Sequence, residues 1–221
     1  NGDKEFADPQ GYGLIEYAYS KMAIDCGIMM SACRLFSESN RKHFMTRRFD
    51  RPDGDKLHMQ SFAAMAHLDF NMAGAHSYEQ AFDVMRRLDM SATATAQLFR
   101  RMVFNVLARN QDDHVKNIAF LMDRRGRWSL APAFDITYSY QPAGQWTASH
   151  QMTINGKQDN FRLGDFEQCG KAALLKRGQF KTILNEVRQV LSRWRNYADD
   201  VGVYSDQRDK VQHALRLTGF E

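Results

Sequence analysis

The sequence predicts an α+β fold that is predominantly α-helical, with a few short strands arranged as hairpins. Two observations carry that expectation. Apolar residues recur at helical spacing over residues 14–26, 93–108 and 180–199. Strand-like apolar runs are short, and polar turn residues at 37–40 and 123–127 separate them in pairs. The chain has 221 residues, 43% hydrophobic and 25% charged. That is enough for one large domain or two small subdomains around a sizeable core.

Residues 1–13 are polar, carry Pro9, Gly11 and Gly13, and are expected to form an irregular lead-in. A helix over 14–26 follows, with Leu14, Ala18 and Met22 on one row, Ile15, Tyr19 and Ala23 beside it, and Gly27 as its stop. Strands are expected at 34–36 and 43–49, with Ser37-Glu38-Ser39-Asn40 as the loop and Pro52-Asp53-Gly54 as a turn. A helix is then expected over 57–68. Ser77-Tyr78-Glu79-Gln80 reads as a capping box opening a helix to about Leu88. Segment 93–108 sets Leu98, Met102 and Val106 beside Phe99, Val103 and Leu107, a strongly apolar helix that runs directly into a polar loop. Residues 118–122 and 128–130 flank Asp123-Arg124-Arg125-Gly126-Arg127 as a β-hairpin. The C-terminal third is expected to be helical, with one long amphipathic helix over 180–199, a break at Val201-Gly202-Val203 and a shorter helix over 206–217.

A formal charge of +4 and a pI near 9.0 suit an anionic ligand such as ATP, and equally nucleic acid. The basic clusters (Arg47, Arg48 and Arg51; Arg100 and Arg101; Arg124, Arg125 and Arg127) are short and lack an interleaved aromatic motif. Cys26, Cys33 and Cys169 are odd in number and without metal-like spacing, which favours a reducing compartment. No apolar run approaches the ~20 residues that span a bilayer, and the first residues lack a signal-peptide pattern. The expectation is a soluble, cytoplasmic protein with no membrane partner.

The richest chemistry lies in Gln111-Asp112-Asp113-His114-Val115-Lys116-Asn117 and in Pro132-Ala133-Phe134-Asp135. Phosphoryl transfer needs a residue that orients the attacking hydroxyl and oxygen ligands that hold Mg²⁺ against the nucleotide phosphates. In protein kinases an Asp and an Asn at this five-residue offset do those jobs, and a later Asp completes the metal set. Asp112 is thus the candidate catalytic residue, with Asp113 as its neighbouring competitor, and Asn117 and Asp135 are the candidate metal ligands. The hairpin between them reverses the chain and is expected to bring Asp135 back to Asn117. His114 either reaches a phosphate, supports Asp112 or is a structural histidine; Lys116 either neutralises phosphate charge or faces solvent.

These segments resemble the HipA-type serine/threonine kinases of bacterial toxin–antitoxin systems. The resemblance rests on Arg48-Phe49-Asp50-Arg51, Asn105-Val106-Leu107, Asp112-Asp113-His114-Val115-Lys116-Asn117 and Leu130-Ala131-Pro132-Ala133-Phe134-Asp135. It extends to Ile15-Glu16-Tyr17 and Ile154-Asn155-Gly156-Lys157 and covers most of the chain. It implies a protein-kinase-like fold, mainly the helical C-lobe over 51–221. Residues 1–50 would be a β-hairpin and hinge remnant of the small lobe. It implies ATP and Mg²⁺ as cofactors, Asp112 as catalytic residue with His114 contributing, and Asn117 and Asp135 on the metal. Backbone groups of Arg47 and Phe49 would meet the adenine.

Family members carry a phosphate-binding loop and a strand lysine ahead of this first helix. Neither is recognised here, so the chain reads as the C-terminal portion of a longer kinase, weakly active or inactive alone, with Glu16 as a possible partner for that lysine. The implied partners are a protein substrate with a Ser or Thr hydroxyl and a helix-turn-helix antitoxin that would bring DNA only indirectly. Two alternatives remain at this level. One is a small-molecule phosphotransferase, because a His two residues after the catalytic Asp also occurs in aminoglycoside-kinase-like enzymes. The other is a non-catalytic basic module using Lys171, Lys176, Arg177, Lys181, Arg188, Arg193 and Arg195.

Overall fold

A computed structural model describes residues 11–39 and 41–220, so most of the expected lead-in and Asn40 of the first hairpin loop lie outside the described residues. Helix α1 (Tyr12–Asp25) buries both expected rows, from Leu14 to Ala23, and Gly27 follows it at φ 76°. Strands β1 (Cys33–Glu38) and β2 (Arg41–Thr46) pair antiparallel with Leu35 opposite Phe44. Their hairpin leans on α1 so closely that a Cβ on Gly13 would meet the Lys42 carbonyl oxygen at 2.6 Å. β2 ends at Thr46, so Arg47 and Phe49, expected within the strand, lie just beyond it.

Pro52–Gly54 forms a 3-10 turn. The helix expected over 57–68 is replaced by strand β3 (His58–Ser61) and a five-residue helix α2 (Phe62–Ala66). Ser61 caps α2 by accepting from the Ala64 N–H at 3.2 Å, and His67 ends it in the left-handed region. β4 (His76–Ser77) leads into α3 (Tyr78–Arg87), where the capping box is present in both directions: Gln80 N–H to Ser77 Oγ at 3.2 Å, Ser77 N–H to Gln80 Oε1 at 2.9 Å. Ser91 caps α4 (Ala92–Ala108), the apolar helix around which the core is built.

The hairpin of β5 (Ala119–Met122) and β6 (Trp128–Leu130) forms as expected. β3 adds to the free edge of β5 in the order β3-β5-β6, and this long-range pairing overrides the helical pattern read for 57–68. β7 (Met152–Thr153) pairs parallel with β4. Helices α5 (Leu163–Ala172), α6 (Gln179–Leu191), α7 (Trp194–Val201) and α8 (Ser205–Ala214) complete the described chain.

The single helix expected over 180–199 is two, broken at Ser192 and Arg193. α6 packs on α4 whereas α7 packs on α1, and one straight helix cannot face both. Trp194, fully buried just past the break, sets its ring edge-on to Tyr19 at 5.5 Å and donates from Nε1 to the Arg208 carbonyl at 2.8 Å. A second small cluster of Ala119, Leu121 and Ala131 packs with Phe49, Leu57 and Phe134, joining the segment after β2 to the β5–β6 hairpin. Among the described residues, no helix is long and apolar enough to cross a membrane.

Candidate active site

The polar loop starts where α4 stops. Arg109 takes the left-handed conformation, φ 57°, and turns the chain out of the helix. Asn110 then donates from Nδ2 to Asn105 Oδ1 at 3.0 Å and to the Asp135 carbonyl at 3.3 Å, tying both ends of the site to the rigid helix. The hairpin returns the chain as its geometry requires. Asn117 Nδ2 lies 2.8 Å from Asp135 Oδ2 and donates to the Asp112 carbonyl at 2.9 Å, so the three residues read from the sequence as a set meet in space. Asp135 is exposed at φ 55°, a conformation Asp tolerates better than most residues.

The electrostatics of this cleft are those of carboxylates short of a cation. Burial pushes Asp112 above the usual carboxylate range; the imidazole of His114 opposes this, and the negative charges of Asp135 and Asp113 add to it. Burial, with Asp135 adding, raises Glu16 on α1 from 4.5 to about 7. No group of three or more His, Cys, Asp or Glu forms a metal cage among the described residues. Mg²⁺ is usually held by one or two side chains plus water and substrate phosphates. Asn117 uses its Nδ2 twice, and its Oδ1 could serve as a neutral oxygen donor beside the Asp135 carboxylate. The donor set fits a hard divalent cation.

The remaining candidates divide into two groups. His114 and Lys116 converge on Phe70, with the His114 ring edge-on at 6.0 Å and Lys116 Nζ 2.9 Å from the ring centroid. His114 Nδ1 is buried without a hydrogen-bond partner among the described residues. Arg47 and Phe49 stand after β2. The Arg47 N–H is committed to the Ala32 carbonyl at 2.9 Å and its guanidinium to Asp53 at 3.0 Å. The Phe49 ring lies 5.6 Å from Phe134, the residue before Asp135. Arg48 clamps Asp50 through two hydrogen bonds, at 2.8 and 2.5 Å, and fixes this connection.

Several contributors escaped the sequence reading. Phe70 had no signal beyond being an aromatic in a polar turn. Tyr78, read only as part of a capping box, turns its hydroxyl to Asp113 at 2.9 Å. His150 reaches the same carboxylate from 37 residues away, a separation no local pattern reveals. Buried Arg101, its pKa lowered to about 10 by burial, donates to the Ala131 carbonyl at 2.7 Å.

Comparison with known proteins places the chain in a family and a fold. The family model for the HipA-like C-terminal domain matches residues 4–194. Among curated proteins, the candidate kinase Y4dM of Sinorhizobium fredii (strain NBRC 101917 / NGR234) is 26% identical over 155 residues, 67% of this chain and 36% of that protein. A second candidate kinase of the same strain, Y4mE, is 25% identical over 126 residues, 52% of this chain and 30% of its own length. The chain thus spans about a third of the curated relatives it matches. Among solved structures, HipA of the Shewanella oneidensis MR-1 toxin–antitoxin system, in complex with HipB and its operator DNA, superposes with a TM-score of 0.74. The identity is 17%, covering 91% of this chain and 53% of that one. The Helicobacter pylori proinflammatory kinase CtkA gives 0.60 at 14% identity, covering 93% and 82%. The fold is the one these two structures display.

Proposed function

The chain belongs to the HipA-like C-terminal domain family, and we propose that it carries the catalytic and metal-binding half of an ATP- and Mg²⁺-dependent serine/threonine protein kinase. The observation that carries this reading is the meeting of Asn117 with both the Asp135 carboxylate and the Asp112 carbonyl. In the proposed reaction Asp112 accepts a hydrogen bond from the substrate hydroxyl and aims its oxygen at the γ-phosphate. Burial favours that role, because a desolvated carboxylate is a better proton acceptor. Asn117 Oδ1 and Asp135 are the ligands for Mg²⁺, which when bound would neutralise charge on the β- and γ-phosphates. The Arg47 carbonyl and the Phe49 backbone are the proposed adenine contacts, and the Phe49–Phe134 packing couples them to the metal-binding turn. His114 supports Asp112 from one side. Lys116, held over Phe70, is the proposed contact for phosphate charge.

The Shewanella relative was solved with HipB and operator DNA. By analogy we propose a helix-turn-helix antitoxin as partner, with DNA engaged through that partner, and a cytoplasmic location where ATP and Mg²⁺ are available. The test is phosphate transfer from labelled ATP by the natural protein, offered a cell extract's proteins in one arm and small hydroxylated metabolites in the other. Label on Ser or Thr of protein, lost when Mg²⁺ is chelated, is expected. Label only on metabolites would replace this reading with a small-molecule phosphotransferase.

A further inference from the structure

The proposed roles leave one acid of the loop without an assignment. Asp113 is almost completely buried, and its carboxylate accepts three hydrogen bonds: from the Gln151 N–H to Oδ1, and from the Tyr78 hydroxyl and His150 Nδ1 to Oδ2, each at 2.9 Å. The donors come from the first residue of α3 and from the segment entering β7. Tyr78 in turn accepts from Asn105 Nδ2 at 3.0 Å, and Asn105 Oδ1 accepts from Asn110 at 3.0 Å. The bonded chain therefore runs from His150 through Asp113, Tyr78 and Asn105 to Asn110, whose amide also holds the Asp135 carbonyl.

This arrangement constrains the chain where it leaves Asp112. The Asp112 carbonyl is held by Asn117, and the next residue along is anchored by the three donors on Asp113. With the peptide between them pinned at both ends, the backbone from which the Asp112 side chain departs is held in place. The far side of the anchor is also built in. His150 is fully buried with its ring 5.4 Å from Phe161, the Gln151 carbonyl accepts from the Gly74 N–H at 2.9 Å, and β7 pairs with β4. A buried carboxylate is seldom better for stability than apolar packing of the same volume, so a three-donor anchor beside a reacting residue points to positioning.

We infer that Asp113 is a positioning residue that, with His150 and Tyr78, fixes the backbone from which Asp112 presents its carboxylate and ties that presentation to the docking of residues 150–153. The inference rests on Asp112 being the hydroxyl-orienting residue. It makes two consequences separable, one catalytic and one conformational.

The test compares Asp113→Asn, Tyr78→Phe, His150→Gln and the double variant D113N/H150Q with wild type in the natural protein. Asp113→Asn is expected to keep the thermal midpoint and the KM for Mg-ATP close to wild type while kcat falls about 10²-fold, the scale of a small misplacement of a reacting group. The double variant is expected to fall little further than Asp113→Asn, because the two residues act through one bond. A kcat within twofold of wild type in folded Asp113→Asn would overturn the inference. So would losses of kcat that simply track the loss of thermal stability across the variants. Amide hydrogen exchange of residues 1–221 supplies the readout that needs no activity. In Asp113→Ala or, should that variant not fold, Asp113→Leu, neither of which can accept from the Gln151 N–H, that amide is expected to exchange faster while α4 keeps its protection; unchanged exchange would overturn the tether. Absence of phosphotransfer by wild type would remove the kinase reading and leave the tether to be judged by exchange alone.

Discussion

Burial and the negative charge of Asp135 act on both Glu16 and Asp112, and the folded chain bears the cost of keeping these carboxylates ionised. Glu16 titrates near 7 in the fold against 4.5 ordinarily. Between those values the folded chain holds a proton that the unfolded chain has released. Its contribution to stability is therefore full below about 4.5 and is lost as pH rises through about 7. Asp112, shifted in the same direction, adds to the decline. Denaturant unfolding measured in steps across this window should show stability falling with pH, and Glu16→Gln should flatten the fall; an identical slope in that variant would show that Glu16 does not bear the charge.

Asp112, Asn117 and Asp135 were legible in the sequence because spacing and a hairpin suffice to bring them together. Phe70, Tyr78 and His150 were not, because they reach the loop from separate elements through contacts that only the fold creates. Phe70→Leu tests one of these. It keeps an apolar side chain but removes the ring face from Lys116, and it should weaken Mg-ATP binding several-fold, on the scale of ~1 kcal/mol for a partly exposed cation–π contact. Titration calorimetry would read that change directly.

Secondary-structure elements were most legible where local chemistry decides them. The α3 start is set by a reciprocal cap, and Ser77→Ala should cost about 1 kcal/mol in chemical unfolding, because the Gln80 N–H loses its acceptor. Gly13 lies in α1, where alanine would ordinarily favour the helix. Its Cβ would nevertheless meet the Lys42 carbonyl oxygen at 2.6 Å and the Phe44 nitrogen at 3.1 Å. Gly13→Ala should therefore destabilise the protein by roughly 1–3 kcal/mol through forced separation of α1 from β2. Elements were misread where distant packing decides. Residues 58–61 become a strand because the edge of β5 accepts them, and α6 parts from α7 because Trp194 must reach Tyr19.

At the scale of the molecule, the fold concentrates rigidity around α4 and leaves the β1–β2 hairpin as a two-stranded sheet resting on one helix. Two strands alone are marginal, so amide exchange should be fastest there and slowest in α4. The architecture was legible as a helical lobe with a short hairpin ahead of it, because the motif-bearing segments fall in the order a kinase C-lobe requires. What no local pattern could convey is how that lobe is wired: the bonded path from His150 to Asn110 links the segment entering β7, α3, α4 and the polar loop through one buried carboxylate. The central claim, that this lobe presents Asp112 for phosphoryl transfer, is tested most directly by comparing phosphate transfer from Mg-ATP by the natural protein and by its Asp112→Asn variant, with folding verified for both. The account predicts transfer by the former and a loss of several orders of magnitude in the latter; near-equal rates would contradict it.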